Sequence, residues 1–280
     1  MMIARHEREA EFHDSLSAKN SRKAAEKYYS VAQSSDQFFR EFLESHGRGK
    51  SVLEYGCGYW GSWYGLVGKA SSITGIDVSS VAIQQARKDA QRLKVEDFRF
   101  LQMEAEDMQF ADSTFDMIFG RGILHHLDLE RSFRELSRTL KPDGFAIFWE
   151  PLGHNPLINL HRRLTPQRRT EDEHPLLITD LKFAESYFRK VDAYFFHLFA
   201  LLAVPFRGRR FFSKILTLLD GLDAYLFRTC PPARRFAWIV VVVLSEPRRD
   251  SFLGSGNTST RDLRVHQPAA EARRSDPHLI

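Results

Sequence analysis

The residues best placed to do chemistry begin at Glu54. An apolar run, Val52-Leu53, leads to this acid, and glycines follow at 56, 58 and 61 in Tyr55-Gly56-Cys57-Gly58-Tyr59-Trp60-Gly61. From Gly56 the pattern is G-x-G-x-x-G. A strand ending in such a turn lets a ligand reach the backbone without meeting side chains, and a helix opening after it offers free N–H groups. Asp77 ends a second apolar run about 20 residues on, where a carboxylate can accept both hydroxyl protons of a ribose. Together these features read as a site for an adenosine-containing ligand. The glycines and Asp77 alone also fit a nicotinamide dinucleotide. Glu54 separates the two ligands, because a negative charge there repels a pyrophosphate and suits an ammonium or sulfonium group.

Further candidates follow in order. Met103-Glu104-Ala105-Glu106-Asp107 comes after a third apolar run, and an acid there can accept from an adenine amino group. Leu124-His125-His126-Leu127 follows a fourth, and Glu150-Pro151-Leu152-Gly153-His154-Asn155 a fifth. Histidine is the natural general base near neutral pH, which makes His125, His126, His154 and His174 the base candidates. Arg168, beside His174 in a polar stretch, joins Glu150 and Asn155 as a candidate for holding an acceptor. The polar stretch reads equally as a hydrogen-bonded network bracing a long loop. His154 and His174 lack tight metal-ligand spacing, so no metal is expected. Cys57 reads as a small turn residue rather than a nucleophile, since no base stands beside it in sequence.

Elements with matching periodicity position these residues. Strands are expected at 51–55, 72–77, 98–102, 115–120 and 145–150. Helices are expected at about 61–70, from a cap at Ser79 to about Leu93, and from about Leu129 to Leu140 with Phe133, Leu136 and Leu140 on one face. Lys141-Pro142-Asp143-Gly144 supplies a breaker and a turn. Strands alternating with helices argue for an α/β doubly wound parallel sheet. Residues 1–46 read as an N-terminal helical cap, with Tyr28 and Tyr29 able either to close over a ligand or to pack in the core. Residues 151–178 read as an ordered insertion, and Thr179 as the cap of a helix to about Phe188. Further strands are expected at 191–196 and 238–244, and a tail from 247 to 280 without structure.

The stretch 51–150 resembles the class I S-adenosylmethionine-dependent methyltransferases, nearest their small-molecule, quinone C-methyltransferase-like branch. The match is carried by Glu54, Gly56 and Gly58, by Asp77, by Glu104-Ala105-Glu106, by Leu124–Leu127 and by Leu140–Gly144, in that order. Trp60 departs from the small residue usual there. The resemblance implies a Rossmann-like seven-stranded sheet of order 3-2-1-4-5-7-6 with strand seven antiparallel. It places a helical insertion at about 197–235 within a domain spanning 47–246. It implies S-adenosyl-L-methionine as cofactor, held by Glu54, Gly56, Cys57, Gly58, Asp77, Val78, Glu104, Ala105, Glu106, Gly120 and Arg121. Tyr28 and Tyr29 then lie on the acceptor side, and His125 and His126 near the transferred methyl group. The acceptor is expected to be a small apolar or amphipathic molecule, with oxygen and carbon both open as the methylated atom. A nicotinamide-dependent oxidoreductase, and a non-catalytic cofactor-binding or membrane-surface protein of the same fold, are the alternatives.

Composition sets the outer bounds. The 280 residues carry a net charge of +4, with 43% hydrophobic and 27% charged residues, an ordinary globule large enough for a full core. Cys57 and Cys230 are the only cysteines, which gives no disulfide framework and suits a reducing cytoplasm. The charged stretch from Met1 to Asn20 lacks the apolar core of a signal peptide, and no apolar run is long enough to span a bilayer. No basic stripe with interleaved aromatics points to nucleic acid. Residues 195–229 are unusually apolar, with Arg207, Arg209, Arg210 and Lys214 in their midst. That segment suits a cap with its apolar face inward, a wall for a lipid-like acceptor, or a peripheral contact with a membrane.

Overall fold

The computed structural model describes residues 28–58, 61–94, 97–164, 174–249 and 264–265. Trp60, Arg168, residues 1–27 of the N-terminal cap and most of the tail lie outside the described residues.

The sheet is built from β1 (Ser51–Tyr55), β2 (Ser72–Asp77), β3 (Phe98–Gln102), β4 (Phe115–Arg121), β5 (Leu140–Pro151), β6 (Phe188–Phe196), β7 (Ile239–Pro247) and β8 (Arg264–Val265). Its order is β3-β2-β1-β4-β5-β7-β6-β8. The first five strands pair in parallel, and β7 runs antiparallel to β5 and β6. This is the expected seven-strand order, extended at its edge by β8, which pairs with β6 at Asp192 and Ala193. The tail therefore contributes two residues of strand where none was expected.

Six helices are described: α1 (Gln33–His46), α2 (Ser80–Arg92), α3 (Leu129–Thr139), α4 (Pro156–Leu164), α5 (Ile178–Ala184) and α6 (Phe212–Thr229). Successive strand residues point to opposite faces, so Val52 and Ile73 join one core and Leu53 and Ile76 the other. The first core holds Phe39 and Leu43 of α1, Ile83 and Ala86 of α2 and Leu216 of α6. The second holds Phe133 and Leu136 of α3 and Leu181 of α5. Buried on both faces, β7 is apolar along Ile239-Val240-Val241-Val242-Val243.

The caps follow from local chemistry. Ser79 Oγ accepts from the Ala82 N–H at 3.1 Å to start α2, and Asp128 accepts from the Arg131 N–H at 3.0 Å to start α3. Three expectations are corrected. The segment after the glycine turn is a five-residue 3-10 helix, Ser62–Leu66, not a helix to residue 70. Gly65 and Gly68 are poor helix formers, and Gly68 takes φ +68°. Helix α5 starts at Ile178 because the Asp180 carboxylate accepts from the Leu177 N–H at 2.8 Å, which leaves Thr179 inside the first turn. The Lys141–Gly144 segment ends α3 but is taken into β5, with a register shift against β4 between Phe115 and Met117. Pro142 and Asp143 are exposed on that irregularity.

The N-terminal helix is tied down at one buried node. Ser35, fully buried, donates to the Ala32 carbonyl at 3.0 Å and accepts from Trp149 Nε1–H at 3.0 Å. His197 Nε2 lies 2.8 Å from the same hydroxyl. Next to it, Arg121 pairs with Asp36 and stacks 4.5 Å over the Trp149 ring.

Candidate active site

Because β1, β2, β4 and β5 are parallel, the residues that follow them share one sheet edge. The glycine turn, Asp77, the His125 loop and Glu150 all lie there. Ligands of open α/β sheets bind at this carboxyl edge.

The glycine turn is held from below. Asp77 accepts from the Gly58 N–H at 2.8 Å and from the Ser79 N–H at 2.8 Å. Gly58, at φ +49°, has nothing within 4 Å of where a Cβ would sit, so its backbone faces open space. Glu54 is 3% exposed. It accepts from the Ser62 and Trp63 N–H groups and so caps the 3-10 helix. Burial, opposed in part by those two hydrogen bonds and reinforced by Asp77, raises its carboxyl pKa to about 8. Its Oε2 is buried with no hydrogen-bond partner. Gly61 leaves the necessary room, since a Cβ there would fall 2.8 Å from Oε2 and 2.1 Å from the Trp63 ring. Cys57 is buried, and desolvation raises its thiol pKa far above the ordinary range, so it stays a thiol in the turn.

The second half of the site is a histidine–carboxylate pair. His125 Nδ1 lies 2.7 Å from Oε2 of Glu150. Glu150 is fully buried and its Oε1 accepts from the Ile123 and Leu124 N–H groups, each at 2.9 Å. The Ile123 side chain packs onto the glycine turn, 2.7 Å from where a Cβ of Gly56 would sit. The carboxylate that orients His125 thus also fixes the loop resting on Gly56. Beyond His125 opens a cleft of about 610 Å³ lined by Leu124, Leu127, Leu129, Arg163, His174 and Leu177, among others. Glu54 and Asp77 are not among its walls, so the cleft adjoins the glycine turn through the His125 loop rather than containing it.

Several expected site residues have other work. Glu150 touches His125 and backbone, not open space, and is a positioning residue rather than an acceptor contact. Asn155 is buried, caps α4 by accepting from the Ile158 N–H at 3.0 Å, and donates to the Phe236 carbonyl at 2.8 Å. Glu106 is buried and accepts from the Asp128 N–H at 2.8 Å, bracing the start of α3. The Ala105 carbonyl accepts from the Tyr55 hydroxyl at 2.6 Å. Gly120 is a packing position, where a Cβ would meet Ile123, Phe148 and the Tyr55 carbonyl at 2.8 Å. Arg121 is committed to Asp36 and Trp149. His154 is exposed and does not line the cleft.

The remaining candidates are placed as follows. His174 lines the cleft, and its N–H donates to the His125 carbonyl at 2.9 Å. The His126 ring lies against that of His125, tilted by 37° with ring centroids 4.1 Å apart. Val78 follows Asp77, its carbonyl accepting from Gln102 at 3.0 Å, and Glu104 is exposed on the turn after β3. Tyr28 packs on His161 and Trp238, and Tyr29 on Trp149 and Trp238. The sequence reading missed Ile123 and the cleft walls Leu129, Asn159, Arg163 and Leu177. Only the adjacent Arg162-Arg163 offered a signal, since apolar residues in a helical pattern read as core.

The strand order and the glycine turn are like those of class I, Rossmann-like methyltransferases. Residues 53–148 match the family model described as a methyltransferase domain. The chain is similar to the uncharacterized methyltransferase YcgJ of Bacillus subtilis, 34% identical over 94 residues, 33% of this chain and 37% of that one. It is similar to a fatty-acid O-methyltransferase of Mycolicibacterium smegmatis, 30% identical over 103 residues, 36% of each. The chain thus spans little more than a third of the length of these relatives. A solved geranyl diphosphate C-methyltransferase from Streptomyces coelicolor aligns over 75% of this chain and 80% of that one, with TM-score 0.54 and 14% identity, a likeness of fold.

The cofactor of this domain is S-adenosyl-L-methionine. The residues present fit it. The buried, unpartnered Oε2 of Glu54 suits a cationic group, and the open face of Gly58 beside the Asp77 carboxylate suits a ribose.

Proposed function

We propose that this protein transfers a methyl group from S-adenosyl-L-methionine to a hydroxyl of a small amphipathic acceptor. The observation that carries the reading is the His125–Glu150 pair at the wall of the cleft. With Glu150 ionised, the contact requires the proton on Nδ1, which leaves Nε2 of the neutral ring as a proton acceptor. A hydroxyl must lose its proton as it attacks, and a positioned base serves that need.

The bound cofactor supplies an activated methyl group on a good leaving group. The chain's own work is then alignment, water exclusion and proton removal. Glu54 and Asp77 would hold the cofactor's cationic and ribose groups. His125 Nε2 would take the O–H proton that the acceptor must lose on methylation. Glu150 stabilises the imidazolium that results. The apolar walls Leu124, Leu127, Leu129 and Leu177 suit a hydrocarbon body, and Arg163 and His174 suit a polar head. The fatty-acid O-methyltransferase relative is consistent with such an acceptor.

The test is incubation with methyl-labelled S-adenosylmethionine and an extract of the host's small molecules and lipids. The expected product carries the label as a methyl ether in the organic-soluble fraction, and label only in methyl esters would overturn the hydroxyl acceptor. Label only in carbon-bound methyl groups would overturn the assignment to oxygen, and no labelled acceptor would overturn the reading as a whole.

A further inference from the structure

The segment from 199 to 236, inserted between β6 and β7, is a 3-10 stretch (Phe199–Phe206), helix α6 and a second 3-10 stretch (Pro231–Phe236). Its inner face is fully used. Leu216 and Phe227 are buried, and Asp223 accepts from the Leu198, Phe199 and Ala200 N–H groups at 2.7 to 3.1 Å, clamping the helix to the end of β6. Its outer face is apolar as well. Phe211, Leu218, Leu222 and Tyr225 recur at helical spacing and are 47%, 72%, 45% and 59% exposed. Phe206, at 40%, extends the stripe onto the preceding turn.

Charge identifies what covers this face. The segment holds seven basic residues, Arg207, Arg209, Arg210, Lys214, Arg228, Arg234 and Arg235, and two acids, Asp220 and Asp223. That is a net +5, against +4 for the whole chain, so the remaining residues together carry −1. The acids are not displayed: Asp223 is buried and Asp220 half-buried. An exposed apolar stripe flanked by exposed arginines and lysine matches the interface of an anionic bilayer, where apolar side chains enter and basic ones meet headgroups. A second copy of the chain would bring two +5 faces together. Among the described residues no helix is long and apolar enough to cross a membrane, so the contact is one of surface.

The insertion is also tied to a helix of the cleft wall. Helix α4, which supplies Arg163 to the cleft wall, exposes Leu157, Leu160 and Leu164. Asn155 at its start is hydrogen-bonded to Phe236 at the end of the insertion. We propose that residues 199–236 dock the protein on an anionic lipid surface, from which an amphipathic acceptor reaches the cleft. The inference builds on the acceptor class proposed above, and its test is independent of turnover.

The experiment is co-sedimentation of the full chain with vesicles of phosphatidylcholine alone or mixed with phosphatidylglycerol, beside a separate titration with S-adenosylmethionine. The expected result is binding to the mixed vesicles only, weakened by salt. Replacing three arginines, Arg207→Gln with Arg209→Gln and Arg210→Gln, should lower partitioning roughly 100-fold, at about fivefold per charge. Leu218→Glu with Leu222→Glu should abolish it. Both variants should keep wild-type cofactor affinity, so that loss of vesicle binding is distinguished from loss of fold or of the methyltransferase site. Wild-type protein left in solution with mixed vesicles, partitioning unaffected by either variant, or a dimer that Leu218→Glu dissociates would each overturn the proposal.

Discussion

His125 Nδ1 sits 2.7 Å from a Glu150 carboxylate that is sealed from water and also holds the Ile123 and Leu124 N–H groups. One buried acid therefore orients the base and fixes the loop that carries it. Removing the base and removing its support should look alike kinetically. We expect His125→Asn and Glu150→Gln each to lower kcat by roughly 100-fold or more, with S-adenosylmethionine affinity within about twofold of wild type. The double variant should be little worse than either single one, because the two act as a unit. Glu150→Gln should also alter the pH dependence of kcat, which a merely structural role would leave in place. Wild-type turnover in either variant would remove the pair from the mechanism.

Glu54 ties cofactor binding to pH. Its carboxyl is raised from 4.5 to about 8 by burial. The free protein therefore holds this proton when the unfolded chain has released it, so stability from this group is full below pH 4.5 and is lost as pH rises to about 8. A cationic cofactor favours the ionised form. Its affinity should then climb with pH up to about 8, with proton release on binding measurable by calorimetry in buffers of different ionisation enthalpy. Glu54→Gln should flatten both the affinity profile and the proton release. An unchanged slope would show that Glu54 does not meet the positive charge.

Gly61 has a steric role that its place in the motif does not reveal. A Cβ would fall 2.1 Å from the Trp63 ring and 2.8 Å from Glu54 Oε2. Gly61→Ala should destabilise the fold by about 1–3 kcal/mol through overpacking, read as a lower Tm, and should weaken cofactor binding more than a distant substitution of equal cost. A wild-type Tm and affinity would mean the turn relaxes freely.

Ser35→Ala probes how the N-terminal helix is anchored. The change leaves the Trp149 and His197 ring groups at the node without their shared partner. A buried polar group so orphaned costs about 1–3 kcal/mol, so Tm should fall by several degrees while turnover per folded molecule changes less. A drop in turnover at unchanged Tm would instead make this helix part of the acceptor site.

The strands were legible because buried β-forming runs recur between helical patterns, as at 145–150 and 238–244, whereas their order came with the family resemblance. The glycine turn and Asp77 were legible because they follow such strands at fixed spacing. What the sequence hid was the partner of each polar residue. Glu150, Asn155 and Glu106 all sit near the ligand edge in sequence, yet Glu150 holds His125 and its loop, Asn155 caps its own helix, and Glu106 accepts from the Asp128 N–H. Gly120 looks like a ligand-facing glycine, but the space beside it is taken by Ile123, three residues on. The 3-10 turn after Gly61 escaped because Gly65 and Gly68 weaken a helix that the motif otherwise leads one to expect. Helix α4 lay in a stretch whose prolines and polar residues masked its leucine spacing.

The central claim is that the Glu54–Gly61 turn and Asp77 bind a sulfonium cofactor. Calorimetric titration of the wild-type chain and Asp77→Ala with S-adenosylmethionine, with NADH as comparison, tests it most directly. The account predicts saturable S-adenosylmethionine binding by the wild type, binding roughly 10- to 100-fold weaker in Asp77→Ala through lost charge-assisted hydrogen bonds, and none with NADH. Binding of NADH without S-adenosylmethionine, or equal affinity in the two proteins, would contradict it.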